Sequence, residues 1–141
     1  MESHFIIHMA FKNVVDEIHS SRQLSDLSIN ILIQFFGEMA VSALSILDNK
    51  GVTQCFSPSN YSLYQVIGSN ENIYTCLKDE FYCNCLSFQN NVIMKGSHFL
   101  CKHLLAVFVS SALEDYQSKS YSEKALNRII SFDLVNFDDP R

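Results

Sequence analysis

Tyr82-Cys83-Asn84-Cys85, fifteen further residues, then Cys101-Lys102-His103-Leu104-Leu105-Ala106-Val107: the fold turns on how these two short runs are read. They hold three cysteines and a histidine as two tight pairs across a loop, the donor set that a tetrahedral zinc ion takes. Two cysteines separated by one residue close on a single ion only where their strand bends, and the end of a hairpin offers that bend. On a regular helix, positions i and i+2 lie about 200° apart, so Cys101 and His103 cannot both be interior helical residues. With Cys101 at a helix entry, His103 swings back from the first turn. The expected ligands are therefore Cys83, Cys85, Cys101 and His103, and one ion would pin hairpin, loop and helix N-terminus together. All four positions are filled, which leaves none for substrate or activated water and points to a structural role. Sites of this kind contribute about 10–16 kcal/mol of apparent binding energy to folding.

Other uses of the same residues fit less well. Cys101 and His103 are close in sequence, but a nucleophilic dyad needs an orienting third group, and none is evident. His98 lies in a polar loop and is expected to face solvent. Cys76 alternates with Tyr74 and reads as a strand residue in the core, as does Cys55. A paired-ring ubiquitin-ligase module needs eight suitably placed ligands, a set the chain cannot supply. No catalytic residue is expected.

Outward from the motif, the period of the apolar residues changes twice. Residues 1–50 read as helices. Phe5, Met9, Val15 and Ile18 form a loose stripe, and a second helix opens at Ser25 or Asp26, both N-cap types, and ends before Gly37. Its Leu27, Ile31 and Phe35 share one face and Ile29, Ile33 and Phe36 another, so it is expected to be central or shared with a partner. A third helix, with Met39, Ala43, Leu44 and Leu47, stops at Asn49-Lys50-Gly51 by a glycine C-cap. Residues 52–56, 61–67 and 73–77 are rich in β-branched and aromatic residues and are separated by turn clusters, the pattern of a hairpin or short meander. Residues 86–99 show no period and read as loop. Residues 100–113 read as a helix with a wide apolar face, and Ser120 with Glu123 forms a capping box for a last helix carrying Leu126, Ile129 and Ile130. The expectation is an α+β fold in one compact domain: a helical region 1–50, a zinc module 51–117, and a C-terminal helix with an acidic tail 118–141, ending Asp138-Asp139-Pro140.

Composition narrows the function. Of 141 residues, 48% are apolar and only 18% charged, against about 25% charged in an average domain. So much apolar material in a small globule suggests some faces outward, as on a partner surface. The net charge is −5, and the ten basic residues form no run or stripe. Tight phosphate binding relies on clustered Lys and Arg, so direct nucleic-acid binding is expected to be weak, although Lys95 and Lys102 flank the motif. No segment has the ~18 consecutive apolar residues of a membrane span, and the N-terminus lacks the features of a secretory signal. Five cysteines, an odd count, suggest reduced thiols in cytosol or nucleus.

The CxC, loop, CxH pattern resembles the SWIM-type zinc-finger family, and the run from Cys101 to Val107 matches that module closely. The stretch Tyr64-Gln65-Val66-Ile67-Gly68-Ser69-Asn70-Glu71-Asn72-Ile73-Tyr74-Thr75-Cys76-Leu77, with the total length, is most similar to the small SWIM-domain subunits of Shu-type complexes, accessory factors in homologous recombination. The closest likeness covers about residues 61–113. It implies a nuclear, non-enzymatic subunit with one structural zinc on Cys83, Cys85, Cys101 and His103. The subunit would pair with a RecA-like recombinase paralogue and promote recombinase filaments on single-stranded DNA in DNA repair and meiosis. The helices of residues 1–50 and 104–113 are the expected partner surface. The rival readings are a zinc-dependent module that binds nucleic acid directly, a zinc or thiol enzyme, and an accessory element of a ligase or transposase-related protein.

Overall fold

The structure, a computed structural model, describes residues 2–59, 61–68 and 70–135, with side chains from Ile6 to Asp133. The Phe5 side chain and the acidic end Asp138-Asp139-Pro140 lie outside them. Three helices come first, α1 (Glu2–Ser21), α2 (Asp26–Phe36) and α3 (Glu38–Asp48). Four strands follow: β1 (Val52–Phe56), β2 (Ser62–Ile67), β3 (Ile73–Leu77) and β4 (Tyr82–Cys83). The chain then forms α4 (Lys102–Leu113), β5 (Gln117–Ser120) and α5 (Glu123–Val135). The expected α+β class holds.

The strands form one sheet in the order β4-β3-β2-β1-β5. The first four are antiparallel neighbours and β5 runs parallel to β1. Alternation along the strands divides the core in two. Val52, Tyr64, Val66, Cys76 and Cys83 pack with α1–α4, whereas Cys55, Leu63 and Leu77 pack with Leu126 of α5. The sheet therefore lies between a four-helix layer and a single helix. Within the helical layer, α4 lies against the sheet and contacts α1 and α3 as well. Its Leu104, Leu105, Ala106, Val107 and Val109 are at most 1% exposed. The expectation that α4 offers surface to a partner is thus overturned: its second apolar face is used inside the molecule.

The helix readings need four corrections. In α1 the buried stripe is Phe11, Val14 and Ile18, while Met9 is exposed; Phe11 meets Phe36, Phe99 and Phe108 edge-on and sets the phase. In α2 the Ser25 cap is present, its hydroxyl accepting from Ser28 N–H at 3.1 Å, but the buried residues are Ser28 and Leu32, and Leu27 and Phe35 face outward. At the end of α3 the left-handed residue is Lys50 (φ 57°), and Gly51 N–H reaches back to Ile46 O at 2.9 Å. That closes a Schellman turn, with glycine one place later than the C-cap reading put it. At α5 the cap is Ser122, which accepts from Ala125 N–H at 3.1 Å; Ser120 belongs to β5. Glu123 instead clasps the β1–β2 turn, accepting from Ser59 N–H at 2.6 Å and Ser59 Oγ–H at 3.0 Å.

Two elements had no sequence signal. Strand β5 is short, polar and exposed, so neither alternation nor β propensity marks it; pairing to β1 alone makes it a strand. The loop reading of residues 86–99 is also corrected, since Phe88–Met94 forms a wide helical segment with i to i−5 bonding, as in Lys95 N–H to Asn90 O.

Candidate metal centre

Three elements deliver the four donors. β4 ends at Cys83, Cys85 lies in the bend beyond it, and α4 begins immediately after Cys101. Cys101 is the N-cap of α4 with extended backbone (φ −113°, ψ 175°), and His103 sits in the first helical turn. That is the arrangement the 200° argument requires. The donor atoms of Cys83, Cys85, Cys101 and His103 all lie within 4.8 Å of one another. His103 Nδ1 faces the sulfurs, 3.9 Å from Cys83 Sγ and 4.0 Å from Cys101 Sγ. A tetrahedral zinc with bonds of about 2.0–2.3 Å separates its donors by roughly 3.5–3.8 Å, so the cluster fits the ion with little adjustment.

Burial and charge point the same way. Cys83 is fully buried, and Cys85, Cys101 and His103 are at most 4% exposed. Burial pushes the Cys83 thiol well above its ordinary pKa, and hydrogen bonding with Cys83 and Cys85, added to burial, raises Cys101. Cys85 is drawn the other way, held as thiolate by hydrogen bonds with Cys101 and Cys83. Within the cluster, the surrounding groups thus favour the charged form at Cys85 and disfavour it at Cys83 and Cys101. A zinc ion bound here would supply the charge that keeps all three as thiolates. The start of α4 adds its own favourable partial charge for anionic sulfur.

The surroundings of the cluster were mostly not foreseen. Phe88 N–H donates to Cys85 Sγ at 3.3 Å. The ring of Tyr74 stacks on His103, with centroids 4.2 Å apart. Cys76, read as a core residue and indeed fully buried, stands opposite Cys83 in the β3–β4 ladder and hydrogen-bonds to it. The alternation of Tyr74 and Cys76 was the available signal, because it places both on the face that Cys83 occupies. His98 is exposed, bonded to Ser97 Oγ at 3.0 Å, and takes no part in the cluster. Of the flanking lysines, Lys95 is exposed and Lys102 half-buried.

The likeness to known proteins accords with this geometry. The chain is 38% identical over 113 residues to the human zinc finger SWIM domain-containing protein 7, covering 80% of this chain and 81% of the human one. The chain belongs to the zinc finger SWIM domain-containing protein 7 family. The mouse relative is 36% identical over 133 residues, 89% of this chain and 88% of its own, and the zebrafish relative 34% over 110 residues, 78% and 79%. No protein-family model matches the sequence, and no solved structure matches it significantly. In this family's chain the SWIM pattern and the four-donor cluster coincide, and these residues can bind a metal.

Proposed function

We propose that this chain is a zinc-held, non-catalytic subunit of a Shu-type complex. In this reading it acts in the nucleus, pairs with a RecA-like recombinase paralogue, and promotes assembly or persistence of recombinase filaments on single-stranded DNA during homologous recombination. The observation that carries the reading is the closed cluster of Cys83, Cys85, Cys101 and His103, each at most 4% exposed. One zinc ion held by these four side chains has no contact with solvent or substrate, so its work is to fasten β4, the bend and α4. The SWIM name of the relatives supports the choice of metal.

Two further features favour an adaptor. The charge of −5 disfavours autonomous binding to phosphate. Apolar side chains stand exposed on the N-terminal helices: Ile6 and Met9 on α1, Leu27 and Phe35 on α2, and Val41 on α3. With α4 enclosed, the partner surface of this reading rests on α1–α3.

The test is an affinity pull-down of the intact chain from nuclear extract, beside Cys101→Ala, read by mass spectrometry. Recovery of a RecA-like paralogue by the intact chain alone is the expected result. Recovery of ligase or transcription components with no recombination factor would overturn it. Tight, strongly salt-dependent binding of single-stranded DNA by the isolated chain would favour the direct nucleic-acid-binding module instead.

A further inference from the structure

We propose that Asn84, the residue between the two cysteines of the first pair, is the positioning residue that shapes the metal centre. The inference rests on the zinc reading and concerns how the chain turns between Cys83 and Cys85.

In a regular strand, residues i and i+2 share a face but lie about 6.6 Å apart. The sulfurs of Cys83 and Cys85 are within 4.8 Å, and the strand ends at Cys83 with the backbone bending at Cys85. The β3–β4 ladder pairs Leu77 with Tyr82 and Cys76 with Cys83. Its next rung is Thr75 opposite Asn84, and half of that rung is regular: Asn84 N–H donates to Thr75 O at 3.2 Å. The other half is not. Thr75 N–H donates to Asn84 Oδ1 at 2.9 Å, so the side-chain carboxamide takes the place that the Asn84 main-chain carbonyl would fill in a continuing strand. Released from the ladder, the backbone leaves the sheet at once. Cys85 turns in the bend, its carbonyl accepts from Gln89 N–H at 3.2 Å, and its sulfur accepts from Phe88 N–H. Asn84 thus ends the strand on one side of the knuckle without orphaning the donor it leaves behind.

Thr75 makes the substitution matter. It is buried, 5% exposed, and its hydroxyl is engaged by the Asp133 carboxylate of α5. Its amide has Asn84 Oδ1 as partner. Without that acceptor, the rung is completed only if the Asn84 carbonyl returns to the ladder. That straightens the chain and draws Cys85 away from Cys83.

The experiment compares the full-length chain with Asn84→Ala and Asn84→Asp, the second keeping an acceptor oxygen in place. Zinc affinity is measured by chelator competition, and site geometry by the visible absorption of the cobalt(II) form. Asn84→Ala is expected to bind zinc roughly 10- to 100-fold more weakly and to show shifted, weaker cobalt bands, with Asn84→Asp close to wild type in both. A role in overall stability alone would leave the cobalt bands unmoved. If Asn84→Ala does not fold without metal, zinc release from the loaded protein to excess chelator makes the same comparison, and faster release is expected. Wild-type affinity and bands in Asn84→Ala, or equal losses in Ala and Asp, would overturn the proposal. A wild-type chain that binds neither zinc nor cobalt would overturn the metal reading itself.

Discussion

Gly68 occupies a place that a methyl group would crowd from three sides. A Cβ there would lie 3.2 Å from the Tyr74 ring, 3.3 Å from His103 Nε2 and 3.4 Å from Asn70 Oδ1. Neither ring is free to retreat, since the two stack on each other and His103 is turned toward the sulfurs. Gly68→Ala is expected to destabilise the protein by about 1–2 kcal/mol and to weaken zinc binding; a thermal melt and a chelator titration check both. The same scale shows why the donors were legible and their neighbours were not. Cys83, Cys85, Cys101 and His103 announce themselves by chemical type and spacing. Gly68 and Tyr74 are ordinary residues whose role arises only because the β2–β3 turn is folded over the imidazole. Asn84 was visible between the cysteines, but its bond to Thr75 depends on the ladder.

At the scale of elements, the junctions carry the specificity. Gly37 joins α2 directly to α3 with φ 59° and ψ −130°, a region that residues with a Cβ rarely enter. Nothing lies within 4 Å of a Cβ built there, so the penalty is one of backbone strain alone. Gly37→Ala is expected to lower stability by roughly 1–3 kcal/mol in chemical denaturation while leaving zinc stoichiometry unchanged. The clasp between Glu123 and the Ser59 turn holds α5 to the far face of the sheet. Hydrogen bonding from the Ser59 backbone holds the Glu123 carboxyl below its ordinary pKa. A carboxylate favoured in the folded state contributes stability above its unfolded pKa and loses it as pH falls through the folded one. The melting difference between wild type and Glu123→Gln should therefore be largest near neutrality and shrink below about pH 4. A constant difference across that range would contradict the clasp.

For the whole molecule, the candidate metal centre lies where the sheet meets its central helix, so an ion held there would fasten the two. Three of the candidate ligands, Cys83, Cys85 and Cys101, belong to the same core cluster as Leu104, Leu105 and Val107. Stripping zinc with a strong chelator is expected to unfold the chain or leave it loosely packed, read as loss of cooperative melting, with recovery on zinc return. Cys101→Ala should behave likewise even with zinc present. An apo protein with an unchanged melt would show that the apolar core alone suffices. Sequence by itself determined the class, the first six regular elements to within a residue or two, and the four residues that the fold gathers into one cluster. Each of these follows from local information: period, turn chemistry and the donor preference of zinc. Tertiary structure alone decided the rest. It made a strand of the polar segment Gln117–Ser120, turned α4 inward, set the buried phase of α1 and α2, moved the α5 cap to Ser122, and freed Glu123 to bind Ser59. Those outcomes depend on which surface each element meets, and residues far apart in the chain supply that surface.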